Sequence, residues 1–231
     1  TDAIDNLNNN NNNNNNQATT SNTACNAPIQ INNQFMINYI DDTSECAVHH
    51  KHLINEFWKA LAIGNECIAI EKNGYLDYTG LSPDDIELVR AASHQGFSLL
   101  KCPNDVKIIK IGPKEEVYRI LNLIHFSSER KRMSIIVRDP DNNIKMYTKG
   151  ADSEIKRRLI KNTNPNHLNA VVYYTDIFSA QGYRTLFIAM KTISESDYKA
   201  WSDRLFKSEL DLENKNKLVA QCYNDIEKDF T

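Results

Sequence analysis

Cysteine is sparse and unpaired in this 231-residue chain: Cys25, Cys46, Cys67, Cys102 and Cys222 are odd in number and nowhere close together. Such spacing argues against a disulfide-stapled scaffold or a zinc knot and suits a reducing compartment. Positive charge is not in excess. The 27 Lys and Arg against 30 Asp and Glu leave a formal charge of −3 and an isoelectric point near 6.1. A broad basic surface for nucleic acid is therefore not expected, although local anion sites are compatible with that balance. No apolar run approaches the ~20 residues that cross a bilayer, and no charged-then-apolar leader opens the chain, so the expectation is a soluble piece. HExxH, a nucleophile elbow, a Cys-His arrangement and a glycine-rich phosphate loop ending in Lys-Ser/Thr are all missing. His94, His125 and His167 lack partners at metal-ligand spacing.

What is there begins with a low-complexity tail. Asn8 to Asn16 is an unbroken asparagine tract, and Thr, Ser, Asn and Ala dominate through Ala27. Having almost nothing apolar to set against its ordering entropy, the stretch 1–28 is expected to be disordered. One domain is expected over 29–231, with a short strand at 29–40 and regular order from near His52. HLINEFWKALAIG has helical spacing ending at Gly64. Asn73-Gly74 is a turn signal. Ser82 reads as an N-cap, with Pro83 at the first helical position and Asp85 at the third in a box-like arrangement.

The middle reads as strands: FSLLK, VKIIKI, VYRILNLIHF, RMSIIVRD and IKMYTK. Asp139 to Asn143 makes the hairpin loop between the last two. DSEIKRRLI is expected as a short helix that Asp152 can cap. A longer helix follows up to Gly182, then RTLFIAMKTI as a strand, a helix capped by Ser194, and a last helix running to Phe230. The fold class is α+β, an antiparallel sheet flanked by helices.

Three places compete for chemistry. Phe126 precedes the cluster Arg130-Lys131-Arg132. Either the ring is core and the cations sit on a solvated loop, or the ring stacks a base while the cations meet phosphate. In YTKGAD, Lys149 ends a strand and Gly150 leaves room for a flat ring, or the segment is an ordinary strand-to-helix link. Arg184 follows a helix-ending glycine, as a surface residue or an anion contact. Asp84 and Asp85 have a local explanation in helix capping.

Six segments, in order over about residues 56–230, resemble one family: EFWKALAIGNEC, GLSPDDIELVRAASHQGF, ILNLIHFSSERKRMSIIVRD, MYTKGADSEIKRRL, HLNAVVYYTDIFSAQGYRTLFIAMKTISESDYKAW and NDIEKDF. The chain looks like the nucleotide-binding (N) domain of a type IV P-type ATPase, a phospholipid flippase. The resemblance implies ATP as ligand, with Phe126 stacked on adenine and Lys149 lining the same pocket. It also implies Lys131 as a pocket cation, Arg184 near the phosphates, and Ser128 and Gly150 among the binding residues. The family pattern S-P-D-E ends here in Asp85, one methylene shorter, which leaves direct contact and a water bridge both open. The D-K-T-G-T segment that carries the family's catalytic aspartate is missing, as are the actuator motif and membrane helices. The resemblance therefore implies an excised cytoplasmic domain of a multi-pass membrane protein, with no catalytic residue of its own. Its partners would be the phosphorylation and actuator domains of the parent chain, with an accessory membrane subunit as a further candidate. Mg²⁺ would belong to the full-length parent. The alternatives are a cation-transporting relative, or a degenerate or regulatory flippase-like module, such as one fused to a guanylyl cyclase, with weak or no nucleotide binding.

Overall fold

Residues 45–231 are described by a computed structural model, with side chains from 51 onward. The asparagine tract and the expected strand at 29–40 lie outside the described residues. The elements run α1 (Glu45–Ile63), β1 (Ile68–Lys72), β2 (Tyr75–Thr79), α2 (Pro83–His94), β3 (Phe97–Lys101), β4 (Val106–Ile111), β5 (Lys114–Ser127), β6 (Arg132–Arg138) and β7 (Ile144–Gly150). They continue with α3 (Asp152–Lys156), α4 (Pro165–Ala180), β8 (Phe187–Ile193), α5 (Glu195–Leu210) and α6 (Lys215–Ile226). Strands β3 to β8 form one antiparallel meander in chain order, while β1 and β2 form a separate hairpin.

The hairpin loop at Asp139–Asn143 sets the central register. Asp139 accepts from the Asn143 amide on its side chain at 2.7 Å and from the Asn142 amide on its carbonyl at 3.0 Å. Arg138 then faces Ile144, and the pairing runs unbroken to Arg132 opposite Gly150. Because successive side chains alternate faces, Ile135, Val137 and Tyr147 pack with Ala60–Ile63 of α1 and Val89 and Ala92 of α2. Ile136, Ile144 and Met146 pack on the other face with Trp201 and Leu205 of α5 and Cys222 and Ile226 of α6. Helices thus cover both faces of the central strands, which explains why RMSIIV is buried throughout.

Several boundaries differ from expectation. α1 starts at Glu45 rather than near His52. The Asn73-Gly74 turn closes a true hairpin, both residues at positive φ, but its mostly exposed strands lack the alternation that would have revealed them. Asp152 does not cap α3: Ala151 is the N-cap, with no side-chain bond, and Asp152 is the first helical residue. β8 begins at Phe187, leaving Arg184 in the loop before it. The last helix stops at Ile226. Thr231 instead exchanges two backbone hydrogen bonds with Met190 on the edge strand β8, at 3.0 and 2.9 Å.

That early stop brings Glu227 under the sheet, where it is fully buried. Arg132, only 1% exposed, donates to its carboxylate from Nε at 2.8 Å and pairs through Nη2 at 2.6 Å. Arg130 pairs with the other carboxylate oxygen, which also accepts from Ser134 Oγ at 2.6 Å. Arg132 further donates to the Arg130 carbonyl and to Asn224 Oδ1, both at 2.8 Å. A second buried cation anchors the other layer: Lys107 Nζ donates to the Asn65 carbonyl at 2.6 Å and to Asn65 Oδ1 at 2.9 Å. Burial holds Lys107 down to about 8.

Glu227→Ala leaves Arg130 without its counter-charge and Arg132 with only Glu154, 3.5 Å away, and should destabilise the fold by about 3–5 kcal/mol, read from urea unfolding. Lys107 gives a signed pH test. The folded state sheds this proton near pH 8 and the unfolded chain near 10.5, so the unfolded chain binds more protons between them. Stability should therefore rise with pH from about 8 to 10.5, by on the order of 3 kcal/mol, and the same amount should be lost as pH falls from 10.5 to 8, with no further change from this group below that. Lys107→Met should flatten this rise, whatever it does to absolute stability.

Candidate functional site

The expected site residues gather at one end of the sheet, around the β5–β6 turn, the end of β7 and the start of α2. Ser82 accepts the Asp85 amide at 3.3 Å and Pro83 opens α2, as the capping pattern predicts. The box is not completed as expected. The Asp85 carboxylate lies 2.8 Å from Lys149 Nζ, and both side chains are largely buried. The ammonium has no directed hydrogen-bond partner among the described residues, so this is an ion contact with donor capacity to spare. Asp84, one residue earlier, pairs with Arg184 from the loop before β8; Arg184 has a 74% exposed side chain. Two ion pairs therefore tie the start of α2 to β7 and to that loop.

Phe126 is not core: it is 60% exposed. Ile124 faces Ser134 and Ser127 faces Arg132, so two residues, His125 and Phe126, stand opposite the single Met133. This is a β-bulge, a device that re-aims side chains at strand ends. Met133 is in turn paired with Lys149, which places Phe126, Met133 and Lys149 in one cross-strand row.

The turn that follows is tight. Lys131 adopts φ 54°, its amide donates to the Ser127 carbonyl at 2.7 Å, and its carbonyl accepts from Ala151 at 3.0 Å. The Lys131 and Ser128 side chains are exposed. Of the three consecutive cations, then, only Lys131 is open to a ligand. Of the two readings of the cluster, cations on a solvated loop or cations meeting phosphate, neither holds for Arg130 and Arg132, which Glu227 claims. Gly150 is corrected too. A Cβ there would lie 2.5 Å from the Lys131 carbonyl oxygen and 2.6 Å from Arg132 Cβ, so the space it leaves is filled by the start of β6 and the turn before it.

Sequence reasoning missed the floor of the site. Around the expected Lys149, Ala60 of α1, Gly64 just beyond that helix, Met133, Tyr147, Thr148 and Ile188 line a cleft of about 10 Å³. A purine does not fit inside it and would have to lie outside, toward the exposed ring. The signal for Met133 was available: a hairpin that pairs 138 with 144 pairs 133 with 149. Nearby chemistry is quiet. Burial pushes the Cys67 thiol up to about 11, with the Asp85 charge adding to the effect, so it is no nucleophile at neutral pH. Among the described residues no group of three His, Cys, Asp or Glu side chains could hold a metal ion, and no helix is long and apolar enough to cross a membrane.

Comparison with known proteins places this geometry. The family model described as the cytoplasmic domain N of P-type ATPases matches residues 82–231. Phospholipid-transporting ATPase IC of Homo sapiens is 35% identical over 178 residues, covering 77% of this chain and 14% of that protein. Phospholipid-transporting ATPase IK of Mus musculus is 36% identical over 183 residues, 77% of this chain and 13% of the relative. Phospholipid-transporting ATPase DRS2 of Saccharomyces cerevisiae is 34% identical over 182 residues, with the same two shares. The chain thus spans about one seventh of the length of these curated relatives. With its antiparallel sheet flanked by helices, it belongs to the P-type ATPase family, as a cytoplasmic N domain of the type IV, phospholipid-transporting branch.

Proposed function

We propose that residues 29–231 form the ATP-binding domain of a phospholipid-translocating P-type ATPase. The domain holds the adenine end of ATP and presents the phosphates to a catalytic aspartate in a separate domain of the parent chain. The observation that carries this reading is the exposed Phe126 ring, raised on a bulge in the same cross-strand row as Lys149. A ring that is not core is free to stack a base, an interaction worth about 1–3 kcal/mol. Lys149 holds donors toward the base and its phosphate side. Asp85 fixes the ammonium and, one methylene shorter than glutamate, reaches the base directly or through water. Lys131, Ser128 and Arg184 surround the phosphate end, and Gly150 lets β7 close on β6 so that Lys149 stands where it does.

Phosphoryl transfer needs groups this domain does not supply, so the chain binds and orients and leaves bond-breaking to its partner domains. In this proposal Mg²⁺ belongs to the full-length parent. That the parent moves phospholipid is supported by the relatives' names and belongs to the same proposal. A second reading, a regulatory or degenerate module with weak binding, draws support from one observation: Lys149 and Arg184 are already engaged by Asp85 and Asp84.

Nucleotide titration followed by amide chemical shifts separates the two readings. ATP should move signals around Phe126 and Lys149 at millimolar concentration or below; spectra unchanged at several millimolar would favour the second reading.

Phe126→Ala should weaken ATP about 5- to 150-fold while shifting stability by no more than about 0.5 kcal/mol, since the ring is exposed. Lys149→Ala behaves differently. It should weaken binding and also lower the melting temperature, because Asp85 is left as a buried unpaired charge. The double variant Lys149→Met/Asp85→Asn should regain stability without regaining affinity.

A further inference from the structure

Phe126 is exposed, and an exposed aromatic on a bulge has freedom to lose when it stacks on a ligand. Two contacts hold its chain neighbour, His125. On one side, Arg130 Nη1 donates to the His125 carbonyl at 2.8 Å, and Arg130 is itself held by buried Glu227. On the other side, His125 Nδ1 lies 3.0 Å from Glu66 Oε2. Glu66 sits in the short link between α1 and β1, and that link is unusually fixed. Asn65 Nδ2 donates to the Leu61 and Ala62 carbonyls at 2.9 Å each, its Oδ1 accepts from the Cys67 amide at 2.9 Å, and Lys107 clamps both of its oxygens. Glu66 is therefore a side chain on a rigid post, reaching across to the residue next to the ring.

We propose that Glu66 and His125 are a positioning pair that holds Phe126 at the height and angle purine stacking requires, and so sets the affinity of the domain for adenine nucleotides. The inference rests on the nucleotide-binding reading above. Neither residue touches the ligand; both act through the ring. The pair is open to solvent, with side-chain exposures of 68% for His125 and 33% for Glu66, so it contributes little to global stability. Its value lies in ordering the bulge before the ligand arrives, which removes part of the entropy cost of binding.

Charge gives the test a sign. If Glu66 acted only through its field, Glu66→Gln would remove repulsion toward polyphosphate and tighten ATP. A positioning role predicts the opposite. In the full chain, Glu66→Gln and His125→Ala should each weaken ATP about three- to five-fold, the range of an exposed polar side-chain contact. The swap Glu66→Lys/His125→Glu should restore affinity, and melting temperatures should stay level. In a Phe126→Ala background the same substitutions should change nothing further, because the ring through which they act is gone.

Tighter binding by Glu66→Gln, wild-type affinity in both single variants, or an equal loss in the Phe126→Ala background would each overturn the positioning role and leave nucleotide binding intact. No ATP response from the unaltered chain would overturn the positioning role together with the nucleotide-binding reading it rests on.

Discussion

A single buried carboxylate holds the functional end of this domain together. Glu227 has no exposure to water, yet it faces two guanidinium groups and a hydroxyl. In a low-dielectric setting each of those charges would be costly alone, and the arrangement persists because all of them are satisfied at once. Its structural effect is directional. Arg132 fixes the start of β6, Arg130 fixes the turn before it, and Ser134 passes the network on to Thr148 of β7 at 2.8 Å. The β5 bulge, the left-handed Lys131 and the end of β7 all hang from that one point. The site is built on a fixed base although most of its own side chains lie at the surface.

This organisation explains why three neighbouring cations have three different fates. Composition makes Arg130, Lys131 and Arg132 look equivalent, and a ligand-centred view would aim all of them at phosphate. Strand alternation separates them. Arg132 falls on the face covered by α6, where Glu227 waits. Lys131, in the turn, is left outside. Arg130 reaches back to the same carboxylate and, through the His125 carbonyl, steadies the bulge. Two of the three charges are spent on architecture, and only the third is free for recognition.

Much of this was legible in local patterns. The Ser82 and Ser194 caps, the Asp139–Asn143 loop and the five middle strands rest on interactions between residues a few positions apart, and the structure keeps them. The misreadings share a different cause. Asp85 was explained by its own helix, but its carboxylate is taken by Lys149, 64 positions away. Glu227 was absorbed into a helix, when its partners lie almost a hundred residues earlier. Gly150 was read as space for a ligand, because sequence alone does not reveal that a neighbouring strand fills it. Local chemistry sets where elements begin and end; which buried charge meets which is settled only when the sheet brings distant segments together.

The cleft beneath the candidate site is too small for a base, and two of the site's cations, Lys149 and Arg184, are already paired with Asp85 and Asp84. Such a site does not enclose a ligand. It offers a ring and a partly neutralised rim, so affinity has to come from stacking and from whatever order the protein has built in beforehand. For a domain whose proposed task is to carry a nucleotide to a catalytic aspartate elsewhere, that is a coherent physical solution. Deep burial of the whole ligand would bind tightly and release slowly, and it would hide the phosphates from the partner domain. An open stack beside paired cations leaves the reactive end exposed. The rigidity then has to sit behind the surface, in the buried Glu227 network and the buried Asn65–Lys107 clamp, and both reach the bulge at His125, through the Arg130 donation to its carbonyl and the Glu66 contact with its imidazole.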